Sequence, residues 1–251
     1  MRFDHPDLGQ IPALRRLWRQ AFGDEERFLD MFFSTGFAPD RCRCVWEGEA
    51  LVAAAYWLDG ALEERTLAYV YAVATDKDHR GRGIGSALME DLHRTLTARG
   101  YAGAALVPGA PGLRRFYQRL GYRDATKIAQ IRAKRGLAPV DLVSLDPAAF
   151  ARRRSALLPD GALIQEGPAL DFLAAQARFY EGPGFLLAAQ RRGGELFGLE
   201  LLGDLAQAPG ILAALGEEEG TFRCPGGQIP FAMYHAFDGG EGPKYLAFAF
   251  D

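Results

Sequence analysis

Seven consecutive residues, Arg80 to Ser86 (RGRGIGS), combine the types and spacing needed to hold a diphosphate. Glycines remove the Cβ atoms that would keep a phosphate away from backbone N–H groups. A helix starting at Ile84 would aim its unsatisfied N–H groups and the positive end of its dipole at the same place. Arg80 and Arg82 add charge-assisted hydrogen bonds to phosphate oxygens. The competing reading makes Gly81, Gly83 and Gly85 a plain tight turn and the two arginines solvated charges. Only backbone amides are needed at position 82.

The elements that must position this loop are legible on both sides. Upstream, Thr66 to Ala74 (TLAYVYAVA) alternates without a charge and reads as a buried central strand. Downstream, Ile84, Ala87, Leu88, Leu92 and Leu96 recur at helical spacing, with Glu90, Asp91, His93 and Arg94 on the outer side. Gly100 after Arg99 is a helix stop, and Gly103 to Val107 is a second short apolar strand. Strand, glycine loop, helix and strand make a βαβ unit with a parallel pair.

Three kinds of glycine loop compete for this pattern. A Walker A loop ends in Gly-Lys-Ser/Thr, and here Gly85 is followed by Ser86 with no lysine. A dinucleotide fingerprint needs G-x-G-x-x-G and an acidic residue about 20 positions on. Starting from Gly81 the third glycine falls on Ser86, and starting from Gly83 it falls on Leu88. From Leu92 to Arg123 there is no Asp or Glu, while Arg94, Arg99, Arg114, Arg115, Arg119 and Arg123 are present. A basic stretch suits a ligand with a phosphate beyond the diphosphate, such as coenzyme A.

The third kind is the Arg/Gln-x-x-Gly-x-Gly/Ala loop of the GNAT acetyltransferase superfamily, matched by Arg80, Gly83 and Gly85. Phe116 to Tyr122 (FYQRLGY) resembles the aromatic-Tyr-x-x-x-Gly-aromatic segment that closes that family's catalytic core. The resemblance covers about residues 66–124 and extends in outline over the N-terminal half. It implies an α/β GNAT fold with a central mixed β-sheet flanked by helices. It also implies acetyl-CoA as acyl-donor substrate, lying where two central parallel strands splay apart, with no metal. The exposed strand edge would be near Val73 and Ala74, and the diphosphate would lie on Arg80, Gly81, Arg82, Gly83, Ile84, Gly85 and Ser86. A primary amine would attack the thioester directly, and Tyr117 would protonate the departing thiolate. A phenol of pKa about 10 is protonated at neutral pH, as a general acid must be. The competing role for Tyr117 is packing beside Phe116 and Tyr122.

A general base is less clearly marked. Glu47, Glu49, Glu63 and Glu64 read as solvated, and Asp76 and Asp78 belong to the loop. His79 flanks the glycines. Tyr245 to Asp251 reads as a strand running to the last residue, which would tether the terminal carboxylate as a further candidate.

Composition bounds the rest. Charged residues make up 24% and the hydrophobic set 49%, which indicates a globular chain of one or two domains. A net charge of −3 argues against nucleic acid as partner. Cys42, Cys44 and Cys224 do not make a disulfide set or a zinc signature and read as buried thiols, with Cys42 and Cys44 on one face of a strand. His5, His79, His93 and His235 form no metal motif. No apolar run reaches membrane-spanning length and MRFDHPDLGQ is no signal peptide, so the expected location is cytoplasmic, with no membrane partner.

Along the chain, helices are expected over about 7–22 and 25–33. In the resembled family this region lines the acceptor cleft, making Trp18, Phe28, Met31, Phe32 and Phe33 candidate substrate contacts, with core packing as the rival role. Arg41 to Trp46 and Leu51 to Leu58 form a hairpin, followed by a connection through Asp59-Gly60. Beyond residue 125 the pattern predicts a helix from Asp146-Pro147 to Leu158, a helix over Pro168 to Tyr180, and a hairpin around Arg191 to Gly194. A helix over Ala206 to Leu215 and strands near 221–224, 230–236 and 245–250 follow. This half resembles a second, α+β GNAT-like domain without the glycine loop, so the expected domains are 1–125 (catalytic) and 126–251. The alternative is an extension packed on the first domain or on a second subunit of a homodimer. The expected activity is N-acetyl transfer to a small-molecule or peptide amine. A non-catalytic CoA-binding regulator and a nucleotide-dependent transferase are its rivals.

Overall fold

In a computed structural model, residues 1–249 are described. The strands are β1 (Arg2–Asp4), β2 (Cys42–Glu47), β3 (Ala50–Leu62), β4 (Arg65–Thr75), β5 (Gly103–Leu106), β6 (Arg123–Asp124), β7 (Lys127–Lys134), β8 (Val143–Leu145), β9 (Arg178–Gly182), β10 (Phe185–Arg192), β11 (Glu195–Gly203), β12 (Glu219–Pro225), β13 (Ile229–Pro230) and β14 (Met233–Ala236). The helices are α1 (Ile11–Phe22), α2 (Glu26–Met31), α3 (Ile84–Ala98), α4 (Leu113–Arg119), α5 (Pro147–Leu157), α6 (Pro168–Ala174) and α7 (Ala208–Leu215). They form two seven-stranded mixed sheets, ordered β1-β2-β3-β4-β5-β14-β6 and β13-β7-β12-β11-β10-β9-β8.

Two compact units interleave along the chain. The first holds Met1–Arg123, Gly167–Phe172 and Met233–Gly242; the second holds Asp124–Glu166, Leu173–Ala232 and Pro243–Asp251. A late strand joins the first unit because β5 needs a second neighbour: Met233 pairs with Leu106 and Ala236 with Gly103, antiparallel.

In the first unit, β4 and β5 are parallel and α3 crosses between them. Ile84, Leu88, Met89, Leu92 and Leu96 are buried with Val45, Val52, Trp57, Val70 and Leu106 in one apolar cluster. Burying a Leu or Ile side chain contributes about 1.5–3 kcal/mol, so this stripe holds the helix on the sheet. Arg43 on β2 donates through Nε to Asp91 of α3 at 2.8 Å, both side chains being largely buried, which sets the helix's rotation.

In the second unit, β11, α7 and β12 repeat the strand–helix–strand pattern with a parallel pair. Asp146 caps α5 by accepting from the Ala149 N–H at 2.7 Å. Arg154 and Glu200 form a buried two-point ion pair, 2.6 and 2.9 Å, with the guanidinium stacked 4.1 Å over Phe248. Such a pair contributes little net stability but becomes costly when one partner is removed.

Four local expectations change. Asp59 and Gly60 lie inside β3, paired with Ala68 and Leu67, and the turn falls at Glu63 with φ +55°. Asp59 is not a turn residue because Arg41 and the Tyr101 hydroxyl both donate to its carboxylate, at 2.5 and 2.6 Å. The second helix ends at Met31 and continues as a π-helical turn, Phe32–Gly36, in which Gly36 is pressed against Phe172. The helix from Pro168 stops at Ala174, and Tyr180 lies in β9, paired with Leu187 and Ser144. Over 245–249 the described backbone forms no strand, and Tyr245 makes an isolated bridge to Ala162. The remainder of that expected strand, with the terminal carboxylate, lies outside the described residues.

Gly121 follows α4 at φ +91°, and a Cβ there would overlap the imidazole of His235 on β14. A left-handed backbone alone costs a side-chain-bearing residue about 1–2 kcal/mol. Gly121→Ala is therefore expected to lose about 2–3 kcal/mol of stability, read as a lower urea midpoint at unchanged slope. An unchanged midpoint would contradict this packing.

Candidate active site

The site begins where β4 stops pairing with β5. The parallel register runs Leu67 with Gly103, Ala68 with Ala104 and Tyr69 with Ala105, and ends there. On its other edge β4 stays paired to β3 through a bulge, where Ala55 lies opposite Ala72 and Val73. Ala72 takes φ +50°, rare for a residue with a side chain. The bulge lies just beyond the end of the ladder with β5, and Val70 to Thr75 have no ladder partner on β5. Val73 is half-buried there and packs on the same apolar cluster as Ile84, Phe116 and Tyr117.

The loop leaves β4 under tight local control. The Asp76 carboxylate accepts from the Asp78 N–H at 3.0 Å and contacts His79 Nδ1 at 2.7 Å. The His79 contact chiefly, with the Gln20 side chain and the Asp78 amide, holds the Asp76 carboxyl below the usual carboxylate range. Arg80 Nε donates to the Thr75 carbonyl at 3.1 Å, while the residue stays exposed. Gly81 and Gly83 adopt φ +76° and +77°, and a Cβ at either would meet nothing within 4 Å. Their glycine identity thus serves backbone conformation and an open face rather than packing. Gly85 differs: its Cβ would press on Thr75 Oγ1 at 3.3 Å, so α3 approaches β4 closely at this point. Gly83 caps α3, and the first amides of that 15-residue helix, near Ile84, Gly85 and Ser86, lack intrahelical partners. An open glycine face in front of free amides fits a diphosphate.

The Arg82 side chain is engaged across the loop. Its guanidinium donates to Glu47, at the end of β2, at 2.7 Å, and His79 Nε2 lies 3.6 Å from the same carboxylate. Glu47, expected to be solvated, is 29% exposed and engaged from two sides. Among the described residues no group of three or more His, Cys, Asp or Glu side chains is arranged to hold a metal ion. No described helix is long and apolar enough to cross a membrane.

Tyr117 lies on α4 and is 7% exposed, edge-on to Phe116 at 5.1 Å and to Tyr122 at 5.7 Å between ring centres. Burial pushes its phenol up to about 12. Behind it stands a cluster with no sequence signal: His93 Nε2 lies 3.0 Å from the Tyr122 hydroxyl, and the His93 ring stacks on His235 at 4.8 Å. Of the candidate acceptor contacts, Trp18 and Phe32 are buried with their rings 4.6 Å apart and serve the core. Phe28, Met31 and Phe33 are half-buried. Cys42 and Cys44 do share a face, Sγ to Sγ 3.8 Å, and burial pushes the Cys42 thiol up.

The acetyltransferase (GNAT) domain family matches residues 4–125. None of the curated proteins matches the chain. Among solved structures, a GCN5-related N-acetyltransferase from Kribbella flavida superposes with a TM-score of 0.73 at 18% identity, covering 94% of this chain and 71% of its own. One from Anabaena variabilis gives 0.73 at 14% identity, covering 93% and 72%. One from Sphaerobacter thermophilus gives 0.56 at 13% identity, covering 99% and 98%. At such identities the shared property is the fold, and the coverage extends it over both units.

Burial, and secondarily His235, lowers the His93 imidazole to about 3 from 6.5. Between those values the unfolded chain binds a proton that the folded one excludes. This contribution to stability is complete above about pH 6.5 and is lost as pH falls towards 3. In an NMR titration, the His93 Cε1–H signal is expected to keep its neutral shift from about pH 8 to about pH 5. An inflection near the ordinary histidine value would contradict this burial.

Proposed function

Residues 4–125 belong to the GNAT acetyltransferases, and from that premise we propose that the chain is an N-acetyltransferase acting on a primary amine with acetyl-CoA as donor. The observation that carries this reading is the parting of β4 from β5 after Tyr69 and Ala105, directly before a glycine loop that ends in a helix N-terminus. A strand edge released from its ladder suits the amide-bearing pantetheine arm, which can pair with it as an added strand. Val73 and Ala74 supply that edge. The residues from Arg80 to Ser86 take the diphosphate, with Arg80 as the charged contact.

The chemistry asks little of the protein beyond position and one proton. The amine lone pair adds to the thioester carbonyl carbon, the C–S bond breaks, and the new amide leaves with the acyl group. The departing sulfur needs a proton or a hydrogen bond. Tyr117, pushed up to about 12, remains protonated over the whole working range. A thiol of pKa about 8.5 is the stronger acid. The phenol therefore acts first by donating a hydrogen bond to the sulfur as charge develops there, in a site where burial strengthens that bond. The ammonium proton of the acceptor leaves to water. The acceptor is a small-molecule or peptide amine.

Tyr117→Phe keeps the ring and removes the proton. It is expected to lower kcat about 100-fold while leaving the Kd for acetyl-CoA within about twofold. Release of CoA thiol with a panel of primary amines, alongside acetyl-CoA binding, checks this. An unchanged kcat would remove Tyr117 from the mechanism.

A further inference from the structure

Gly81 and Gly83 both take left-handed backbone, and a Cβ at either would meet nothing within 4 Å, so the outer face of the Gly-Arg-Gly segment is open. Glycine is the residue that loses most freedom on ordering, and a segment of this kind is a poor binding surface unless something else fixes it. Two side-chain bonds reach it from outside. Arg80 is bonded back to Thr75, and Arg82, the residue between the glycines, is bonded across to Glu47. Glu47 also faces His79, which is in turn bonded to Asp76 at the start of the loop. One carboxylate on β2 thus faces both the entry and the middle of the loop.

We propose that Glu47 is a positioning residue for the diphosphate, holding the loop in its binding shape through Arg82 and His79. Arg82 then acts through Glu47 and not as a direct phosphate ligand. This rests on the reading of the loop as the CoA diphosphate site. Two opposed effects must be weighed. A carboxylate near the diphosphate repels it, and freeing Arg82 would add a cation. Against this, Arg82 already cancels the charge of Glu47 at 2.7 Å, so the net field of the pair at the ligand is small. What remains is the order imposed on two glycines, which favours binding.

The test uses the whole chain and two donors, CoA with its diphosphate and acetyl-pantetheine without it. Glu47→Gln is expected to raise the Kd for CoA, and the KM for acetyl-CoA, about threefold to fivefold, at unchanged kcat. The KM for acetyl-pantetheine should not move, because that donor never reaches the loop. Arg82→Ala should raise the Kd for CoA at least as much as Glu47→Gln, because it also leaves the Glu47 carboxylate uncancelled, and the double variant should be no worse than Arg82→Ala alone. A lower Kd in Glu47→Gln would overturn the proposal and make Arg82 a direct ligand held back by Glu47. An unchanged Kd, or equal losses with CoA and acetyl-pantetheine together with a lower Tm, would also overturn it. If the wild-type chain failed to bind CoA at all, the site reading itself would fall. Wild-type binding with an unaffected Glu47→Gln variant would sink this inference alone.

Discussion

The parallel ladder between β4 and β5 ends after three residue pairs, and the rest of the site depends on that ending. If the strands stayed paired, the backbone from Val70 to Thr75 would have no polar groups to offer and the loop beyond would leave a closed sheet. The bulge at Ala72 and Val73 re-aims β4 without detaching it from β3, which Asp76 rejoins through an N–H to Val52 carbonyl bond of 2.8 Å. The ladder thus ends where β5 itself ends at Leu106, and the bulge turns β4 at the same level. Left-handed backbone such as that of Ala72 costs about 1–3 kcal/mol and persists only where surrounding packing fixes it. Here the adjoining Val73 packs into the apolar cluster that includes the buried stripe of α3.

The glycine loop, α3 and the Tyr117 helix were legible in the sequence because each is local. Loop glycines, a helical apolar period and a stop at Gly100 all act within a few residues of one another. The bulge was not legible: nothing in Tyr71-Ala72-Val73 marks Ala72 for left-handed backbone, since the cause is the register against β3. The strand β14 was expected near its true place, but its pairing with β5 was not, because the two are more than a hundred residues apart. The same holds for His93, Tyr122 and His235, which come from α3, the turn after α4, and β14. Glu47 was read as solvated because a lone acid before a turn usually is; only a guanidinium 35 residues further on changes its role.

Elsewhere a local signal in the sequence is overruled by a longer-range one. Asp59-Gly60 is a turn pair in isolation, yet β3 runs through it because Arg41 and Tyr101 pair the aspartate and the ladder with β4 continues. Pro168 to Tyr180 carries a helical period, yet its last residues complete the β8–β9–β10 ladder. In the second unit the strand–helix–strand pattern returns at β11, α7 and β12, but the segment entering α7 carries Asp204, Pro209 and no arginine. The strand–helix–strand pattern is thus repeated, while the Arg-x-x-Gly-x-Gly spacing stands in the first unit's copy and not before α7.

The role proposed for the loop from Arg80 to Ser86 is to bind the diphosphate of coenzyme A. Calorimetric titration of CoA into the wild-type chain and into an Arg80→Glu/Gly83→Asp variant of equal Tm tests it most directly. Saturable one-site binding by the wild type and none by the variant is expected, since two carboxylates then stand where the amides must meet phosphate. Equal binding by the two proteins, or no binding by folded wild type, would contradict it.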